Sequence, residues 1–425
     1  MYFCVLFFSS PQKKTLRKFP QKSPTYIRVL KVYLGVRDKG KRNKRNDEER
    51  PAETITSAMT STRGETDENA ASASEQLLTN LCDRVRESTR MIAEEKSNHV
   101  RIDDDAIDAL VRTVPGHQFA GMTSKTGFNR FDGSIHYMGE REEDTIQYLL
   151  VLDAINFCFW PDHDCVTDEY PNGLEYEHVA KGLKKSVERD GIGVLSAESL
   201  KEMTGPRLRG MLEWPRELPF EEVRAKRLRE IGEGLIKSYN GEAIELVKAA
   251  KKSAAKLVDL IVQTFPYGFK DMSRHTGECR EGQFFANEIW FLKRAQIFVA
   301  DVWGALKNSG AGEFTDIDKL TMFADYRVPV VLRESNVLDY HSEVLHKRVD
   351  KKLNLVIGCE LEVEIRCATI QAVERIRDKL NEKYAKSVND ACIAVTVDWW
   401  LWEFGEARRD DEKWRPHHRT RTTYY

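Results

Sequence analysis

Residues 287–306 read NEIWFLKRAQIFVADVWGAL, and this stretch decides the fold class. Its apolar residues recur at positions 291, 295, 298 and 302, and again at 292, 299, 303 and 306. These intervals are the period of an α-helix, and apolar side chains on both faces predict a helix that is buried on nearly every side. Strand signals are sparse elsewhere. We therefore expect a mainly α protein whose globular core has little β structure.

Further helices are expected on both sides of this stretch. Residues 143–160 predict an apolar helix that runs into an aromatic cluster, and residues 177–191 predict an amphipathic helix that ends at Gly191. Residues 219–265 predict two or three helices with a turn at Asn240 and Gly241, and residues 363–383 predict another amphipathic helix. The period of IAVTVDWWLWEF, at 393–404, fits either a strand or a helix.

The composition indicates a folded chain. Its 425 residues suggest two or three domains, or one large domain with a long extension. Hydrophobic residues make up 41% and charged residues 32%, which is ample for a core and excludes a wholly disordered chain. The net charge of −2 argues against a general polyanion binder. No apolar run approaches the ~20 residues of a membrane helix, so no membrane partner is expected.

The charge is unevenly distributed along the chain. Residues 1–50 contain 14 Lys and Arg against 4 Asp and Glu, which leaves the remainder about twelve charges negative. We predict a disordered, basic, low-complexity extension over 1–74 and one folded domain over 75–425. The opening MYFCVLFFS has no basic residue before it and is a poor secretory signal. A cytoplasmic location is expected, with organellar targeting by the extension as the alternative.

Motifs for metals and cofactors are missing from the sequence. The eight cysteines form no CxxC pair, and scattered thiols fit a reducing compartment. There is no GxxxxGK[ST], GxGxxG, HExxH or GxSxG pattern. These absences exclude a zincin and argue against a zinc ribbon, a thioredoxin-like motif and a glycine-rich phosphate loop.

Four aspartates lie in apolar surroundings: Asp153, Asp301, Asp325 and Asp398. Aspartate is almost never fully buried unless it is paired, and burial disfavours its charged form. A structural explanation is that each caps a helix or pairs with an arginine. A functional explanation is that carboxylates beside aromatic rings stabilise an oxocarbenium-like transition state and protonate or bind a leaving group.

Aromatic and cationic residues accompany these acids. Phe157 and Trp160, with Trp290, could sandwich a flat heterocycle, although core packing is the simpler explanation for each ring. Lys293, Arg294 and Arg327 are candidate phosphate ligands, although most such cations are simply solvated. The remaining binding candidates are His136, Asn156 and Phe323.

Long stretches of the chain resemble the queuosine salvage proteins. The resemblance covers residues 130–425, and its most distinctive part is the run FADYR, at 323–327. The matching stretches are AINFCFWPD (154–162), FLKRAQIFVADVWGAL (291–306), FTDIDKLTMFADYRVPVVLRESNVLDY (314–340), VEIRCATIQAVERIRD (363–378), VDWWLWEF (397–404) and HHRTRTTYY (417–425).

This resemblance implies an N-glycosylase that needs neither a metal nor an organic cofactor and hydrolyses queuosine 5′-monophosphate to queuine and ribose 5-phosphate. It also implies a mainly helical fold similar to helical DNA glycosylases. The resemblance implies that Asp325 supplies the catalytic carboxylate. It also implies that the base or ribose is contacted by Asp301, His136, Asn156, Phe157 and Asp398. Asp301 is in addition a candidate catalytic group. The roles of Asp301, Asp325 and Asp398 remain interchangeable at this point.

Three hypotheses follow. The first is hydrolysis of a small nucleotide by a monomer. The second is a helical enzyme or binding protein for tRNA or DNA, which the acidic balance beyond residue 50 disfavours because a phosphate backbone requires a basic surface. The third is an inactive helical scaffold in which the four aspartates are all satisfied structurally. The extension and the stretch 265–290, which is longer than the resemblance suggests, bear on location rather than on activity.

Overall fold

The computed structural model describes residues 80–123, 131–160, 173–275 and 287–425. Within these ranges the chain forms 16 α-helices and six short strands, which pair into three two-stranded sheets. The mainly α class with little β structure is confirmed. The predicted extension over residues 1–74 lies outside the described residues.

The elements are numbered in chain order. The first half contains α1 (Leu81–Met91), β1 (Arg101–Ile102), α2 (Asp104–Thr113), α3 (Gly116–Ala120), α4 (Glu142–Ala154), α5 (Tyr176–Asp190), α6 (Ala197–Lys201), α7 (Gly205–Met211), α8 (Glu221–Ser238), α9 (Ala243–Ala249), α10 (Ala254–Thr264) and α11 (Pro266–Phe269). The second half contains β2 (Met272–His275), β3 (Asn287–Trp290), α12 (Lys293–Ala305), α13 (Arg327–Glu334), β4 (Leu338–Asp339), α14 (Glu343–Asp350), β5 (Asn354–Leu355), α15 (Glu360–Tyr384), α16 (Ala394–Glu406) and β6 (Arg419–Thr420).

Several predicted helix boundaries are confirmed. Helix α5 ends at Gly191, whose φ of 82° is a conformation that glycine adopts without strain. Helices α8, α9 and α10 occupy the predicted stretch, and the turn between α8 and α9 has positive φ at both Asn240 and Gly241. The ambiguous stretch at 393–404 is helical, because it forms most of α16.

Two predictions from periodicity are wrong in part. Residues 287–290 form strand β3, antiparallel to β2, with Met272 opposite Trp290. Helix α12 begins only at Lys293, after Leu292 in the left-handed region. Helix α15 is not amphipathic along its first half, because every residue from Glu362 to Glu374 is buried. The spacing of apolar residues along one segment does not reveal which distant strand pairs with it, nor how many sides of a helix are covered by other parts of the chain.

The core brings the ends of several helices together. Helix α12 packs on α4 and α10, and α13 packs on α15 and α16. At Gly304, helix α12 lies close to two aromatic rings: a Cβ atom there would stand 2.8 Å from the Phe131 ring and 2.9 Å from the Trp399 ring. As a result, the C-terminal end of α4 and the N-terminal ends of α12 and α13 meet in the interior. Among the described residues, no helix combines the length and apolar character needed to cross a membrane.

Candidate active site

The end of α4 presents the first group of candidate residues. Asp153 lies in its last turn and is completely buried, and Asn156 follows with its Nδ2 3.5 Å from Asp153 Oδ1. The last carbonyls of a helix lack partners within the helix. Here Ala154 O accepts a hydrogen bond from Arg294, and the carbonyls of Ile155 and Phe157 accept from Arg224. Buried guanidinium groups therefore fix the turn that carries Asn156.

Phe157 is a packing residue in this arrangement. Its ring is completely buried, and the guanidinium carbons of Arg224, Arg227 and Arg294 lie 4.2, 5.1 and 5.1 Å from its centroid. Cations over a ring face occupy the position that a stacked base would need. The expectation that Phe157 provides a platform for the base is therefore not retained. Trp160 is 6% exposed, with the Arg419 guanidinium 5.7 Å from its ring centroid.

Lys293, at the start of α12, is a buried cation. It is 5% exposed, and its backbone N–H donates to Asp271 Oδ2 at 3.3 Å. Among the described residues, we find no hydrogen-bond acceptor for its Nζ. Burial lowers the pKa of Lys293, and the nearby carboxylates of Asp325 and Asp153 oppose that shift. A buried ammonium without a direct partner is costly, which is typical of a group that serves a ligand.

Asp325 lies at the N-terminal end of α13. Its Oδ1 accepts hydrogen bonds from the backbone N–H groups of Arg327 at 2.8 Å and Val328 at 3.4 Å. The positive end of the helix dipole stabilises a carboxylate in this position. Its Oδ2 has no hydrogen-bond partner among the described residues, so the carboxylate is oriented through one oxygen and offers the other.

Arg327 itself is already paired. Its Nε donates to Glu406 Oε1 at 2.7 Å, which joins the start of α13 to the end of α16. This pairing uses only Nε of the guanidinium, so the expectation that Arg327 binds a phosphate stays a prediction. For Lys293, by contrast, the described residues show no hydrogen-bond acceptor at Nζ, although the carboxylates of Asp325 and Asp153 act on its charge.

Asp398 and Asp301 lie on helices that flank this centre. Asp398, on α16, accepts a hydrogen bond from the backbone N–H of Phe323 at 3.3 Å and so contacts the segment that leads to Asp325. Asp301, on α12, is 2% exposed. Burial raises the pKa of Tyr148, and the charges of Asp153 and Asp301 raise it further, so both carboxylates lie near this phenol.

His136 and Trp290 differ in their surroundings. The Nε2 of His136 lies 2.7 Å from the hydroxyl of Tyr176, and its ring centroid lies 5.0 Å from that of Phe131. Phe131 in turn contacts α12 at Gly304 and lies 6.2 Å, between ring centroids, from Trp399 on α16, so His136 packs against the rings between these two helices. Trp290 instead receives the side chains of Arg84 and Lys270 on its ring.

The comparison with known families decides which protein family this arrangement belongs to. A family model described as queuosine salvage protein matches residues 135–425, which is more than half of the chain. The chain belongs to the queuosine salvage protein family. All ten candidate site residues of this family member lie within the matched range.

Three curated relatives share the name queuosine 5′-phosphate N-glycosylase/hydrolase. The protein from Dictyostelium discoideum is 36% identical over 357 residues, which cover 80% of this chain and 98% of the relative. The protein from Sphaerobacter thermophilus is 35% identical over 340 residues, covering 80% and 96%. The protein from Bos taurus is 32% identical over 354 residues, covering 80% and 98%.

Several residues around the site of this queuosine salvage protein were not predicted as site residues. They are the buried charged groups Arg224, Arg227, Asp271 and Arg366. Each of them contacts residues that are distant in the chain. The only sequence signal was their charge: Arg366, for example, stands in the apolar run IRCATI.

One group of side chains has the composition of a metal site. His99, Glu360 and Glu364 place potential ligand atoms within 4.8 Å of one another. Glu364, however, already accepts hydrogen bonds from Ser97 Oγ at 2.7 Å and from the backbone N–H groups of Asn98, His99 and Val100 at 2.9, 2.7 and 3.2 Å. These donors give Glu364 a structural role in anchoring the loop that precedes β1.

The tail, residues 417–425, passes directly beside the site. Strand β6 runs parallel to β5, and Cys158 N donates to Tyr425 O at 2.9 Å. The tail also contributes His418, which is 1% exposed and has its Nε2 3.3 Å from the Tyr425 hydroxyl. Burial lowers the pKa of His418 from 6.5 to about 3, and the charges of His417 and Arg366 act in the same direction.

This burial predicts an acid-sensitive fold. Below pH 6.5 the unfolded chain protonates this histidine, whereas the folded protein keeps it neutral down to pH 3, so stability falls as the pH falls through that window. We expect a loss of about 2 kcal/mol from His418 between pH 6.5 and 5. Urea unfolding at both pH values measures it. His418→Gln, which retains a polar group near Tyr425, should show a loss smaller by that amount, and an equal loss would contradict the prediction.

Proposed function

We propose that this chain hydrolyses the N-glycosidic bond of queuosine 5′-phosphate and releases queuine and ribose 5-phosphate. The names of the relatives support this reaction. The observation that carries it is the pair formed by Asp325, held at the start of α13 with one oxygen available, and the buried ammonium of Lys293. The released base is then available for queuosine modification of tRNA.

Asp325 acts at the anomeric carbon. As the bond from C1′ to the base nitrogen breaks, the electron pair leaves with the base and positive charge develops on the sugar. The unpaired oxygen of Asp325 stabilises this charge and orients a water molecule. The water oxygen then bonds to C1′ and gives up one proton to a general base of the protein. The leaving nitrogen of the nucleobase takes up one proton, so the number of protons balances. Because its geometry is fixed by backbone N–H groups, Asp325 requires little reorganisation during the reaction.

Lys293 binds the 5′-phosphate. Lys293 is only 5% exposed, and the described residues offer no hydrogen-bond acceptor to its ammonium, so an anionic ligand would supply a direct counter-charge. The pKa that burial lowers would rise again when the dianion binds. A nucleoside has no phosphate and cannot compensate the cost of burying the Lys293 ammonium. For this reason we propose the nucleotide as substrate.

The remaining candidates contact the base and ribose. In this proposal Asp398 and Asp301 accept hydrogen bonds from the base or from the amine of its cyclopentenediol substituent, and either assists the departure of the base. Asn156, His136 and Trp160 complete this half of the site, with Phe323 bordering it through its contact to Asp398. The acidic balance beyond residue 50 supports a small nucleotide rather than a nucleic acid, and we propose a cytoplasmic monomer that needs no cofactor.

The test is incubation of the full chain with queuosine 5′-phosphate, followed by chromatography for free queuine. Guanosine monophosphate is the control, because it presents the same phosphate and ribose with a different base. Release of queuine with an equal amount of ribose 5-phosphate, and no release of guanine, is the expected result. Folded protein that releases no queuine would overturn the proposal.

A further inference from the structure

We infer that the buried ion pair between Arg366 and Asp271 is a positioning device that sets Lys293 and Asp325 relative to each other. This inference rests on the proposed function, which gives those two residues their roles. The pair itself lies behind the site. It would act on the reaction through the backbone of the segments that carry the two reacting side chains, without touching the substrate.

The pair has the geometry of a fixed fork. Arg366 Nη1 lies 3.0 Å from Asp271 Oδ1, and Nη2 lies 2.6 Å from Oδ2. Both residues are buried, at 0% and 1% exposure. Two parallel hydrogen bonds between charged groups restrict the relative orientation of the partners as well as their distance.

Each partner holds one side of the site. Arg366 uses its remaining nitrogen, Nε, to donate to the carbonyl of Ala324 at 3.2 Å, which is the peptide immediately before Asp325. Asp271 accepts from the backbone N–H of Lys293 at 3.3 Å. The contact therefore runs from the peptide before Asp325, through Arg366 and Asp271, to the first residue of α12.

Backbone contacts extend the hold on α12. The carbonyl of Asp271 accepts hydrogen bonds from Phe291 N at 3.1 Å and Leu292 N at 3.2 Å, the two residues that lead into the helix. Leu292 has a φ of 54°, a left-handed conformation that is costly for a branched side chain. Asp271 thus stabilises a strained turn, and this turn sets the position of Lys293.

The guanidinium itself has little freedom to move. Arg366 Cζ lies 3.8 Å from the ring centroid of Phe291 and 4.6 Å from that of Tyr425. Glu362 adds a carboxylate oxygen 3.7 Å from Nη1. Buried ion pairs rarely add stability over apolar residues of the same volume, so a fully satisfied one is better explained by the geometry it specifies.

The test is Arg366→Lys in the full chain. Lysine keeps the charge but cannot form the fork and reach Ala324 O together. We expect kcat for queuosine 5′-phosphate to fall about 30- to 100-fold per folded molecule, with KM changed less than about threefold, since misplacement by an ångström costs rate on this scale. Asp271→Asn, a nearly isosteric change, should give a similar split, and the double variant should be little worse than either, because the pair acts as one unit.

Arg333→Lys is the matched control. Arg333 is 2% exposed and pairs with Asp350 at 2.9 Å, but it lies at the opposite end of α13 from Asp325. This variant should lose stability while kcat stays within about twofold of wild type, since it lies outside the chain of contacts. Equal effects on kcat from Arg333→Lys and Arg366→Lys, or wild-type kcat in Asp271→Asn, would overturn the inference.

The two proposals fail in different ways. If Asp325→Asn and Lys293→Met remain active, the site assignment is wrong whatever Arg366→Lys does. If those variants are inactive and the folded Arg366→Lys and Asp271→Asn proteins turn over normally, only the positioning inference fails. Should Arg366→Lys not fold, the ratio of kcat loss to KM change in Asp271→Asn decides the question.

Discussion

Asp325→Asn is expected to leave the protein folded and to lower kcat for queuosine 5′-phosphate by about 10³-fold, within the range for loss of a positioned carboxylate. Folding is preserved because the amide oxygen of asparagine can accept the same hydrogen bonds from Arg327 N and Val328 N. Catalysis is lost because a neutral amide cannot oppose positive charge on the sugar. Single-turnover release of queuine, compared with thermal unfolding of the same preparation, measures both.

Asp103→Asn is the control for this result. Asp103 Oδ1 accepts from Ala106 N at 2.9 Å at the start of α2, so it makes the same kind of helix contact as Asp325 but lies outside the site. Its substitution should change neither folding nor turnover appreciably. Turnover by Asp325→Asn within about tenfold of wild type would remove Asp325 from the mechanism, because even weak acid or electrostatic groups contribute more.

Lys293→Met is expected to have the second largest effect, a loss of about 10²- to 10³-fold in kcat/KM for the nucleotide, as for removal of a charged group that is fully desolvated with its ligand. The loss should be much smaller for the nucleoside queuosine, which has no phosphate. Stability should rise or stay level, because methionine has a similar length and removes the cost of a buried ammonium. Steady-state kinetics with both substrates and urea unfolding provide the measurements.

Lys383→Met separates this effect from the general consequences of removing a lysine. Lys383 is exposed on α15 and donates to Val111 O at 3.0 Å, away from the site. Its substitution should cost a little stability and leave kcat/KM unchanged for both substrates. If Lys293→Met is instead destabilised and loses activity equally on nucleotide and nucleoside, Lys293 supports the structure and does not bind the phosphate.

Local patterns in the sequence were sufficient for much of the fold. Gly191 ends α5 because its backbone conformation is local chemistry, and the turn at Asn240 and Gly241 is local for the same reason. The failure at 287–290 has the opposite cause. Those residues have apolar spacing compatible with a helix, but pairing with Met272–His275 satisfies their backbone groups in a strand, and no local pattern encodes that pairing.

The site was predictable only as far as residue types reveal it. The aspartates in apolar runs stood out because buried carboxylates are rare. Phe157 stood out equally, yet its ring proves to be enclosed by arginines from α8 and α12. Arg327 and Lys293 could not be told apart in the sequence, since only the fold pairs Arg327 with Glu406, while the described residues show no hydrogen-bond acceptor for Lys293 Nζ. Such distinctions depend on contacts between distant segments.

The tail has a consequence for how the protein is made. Residues 417–425 leave the ribosome long after residues 154–160, yet Tyr425 O receives the N–H of Cys158 and the Tyr425 ring covers Arg366. Contacts so far apart in the chain form late, and domains fold largely as they are synthesised. A nascent chain that stalls before this point lacks the cover over Arg366. A chain shortened before residue 417 would therefore lack both the acceptor for Cys158 N and the ring that packs on Arg366.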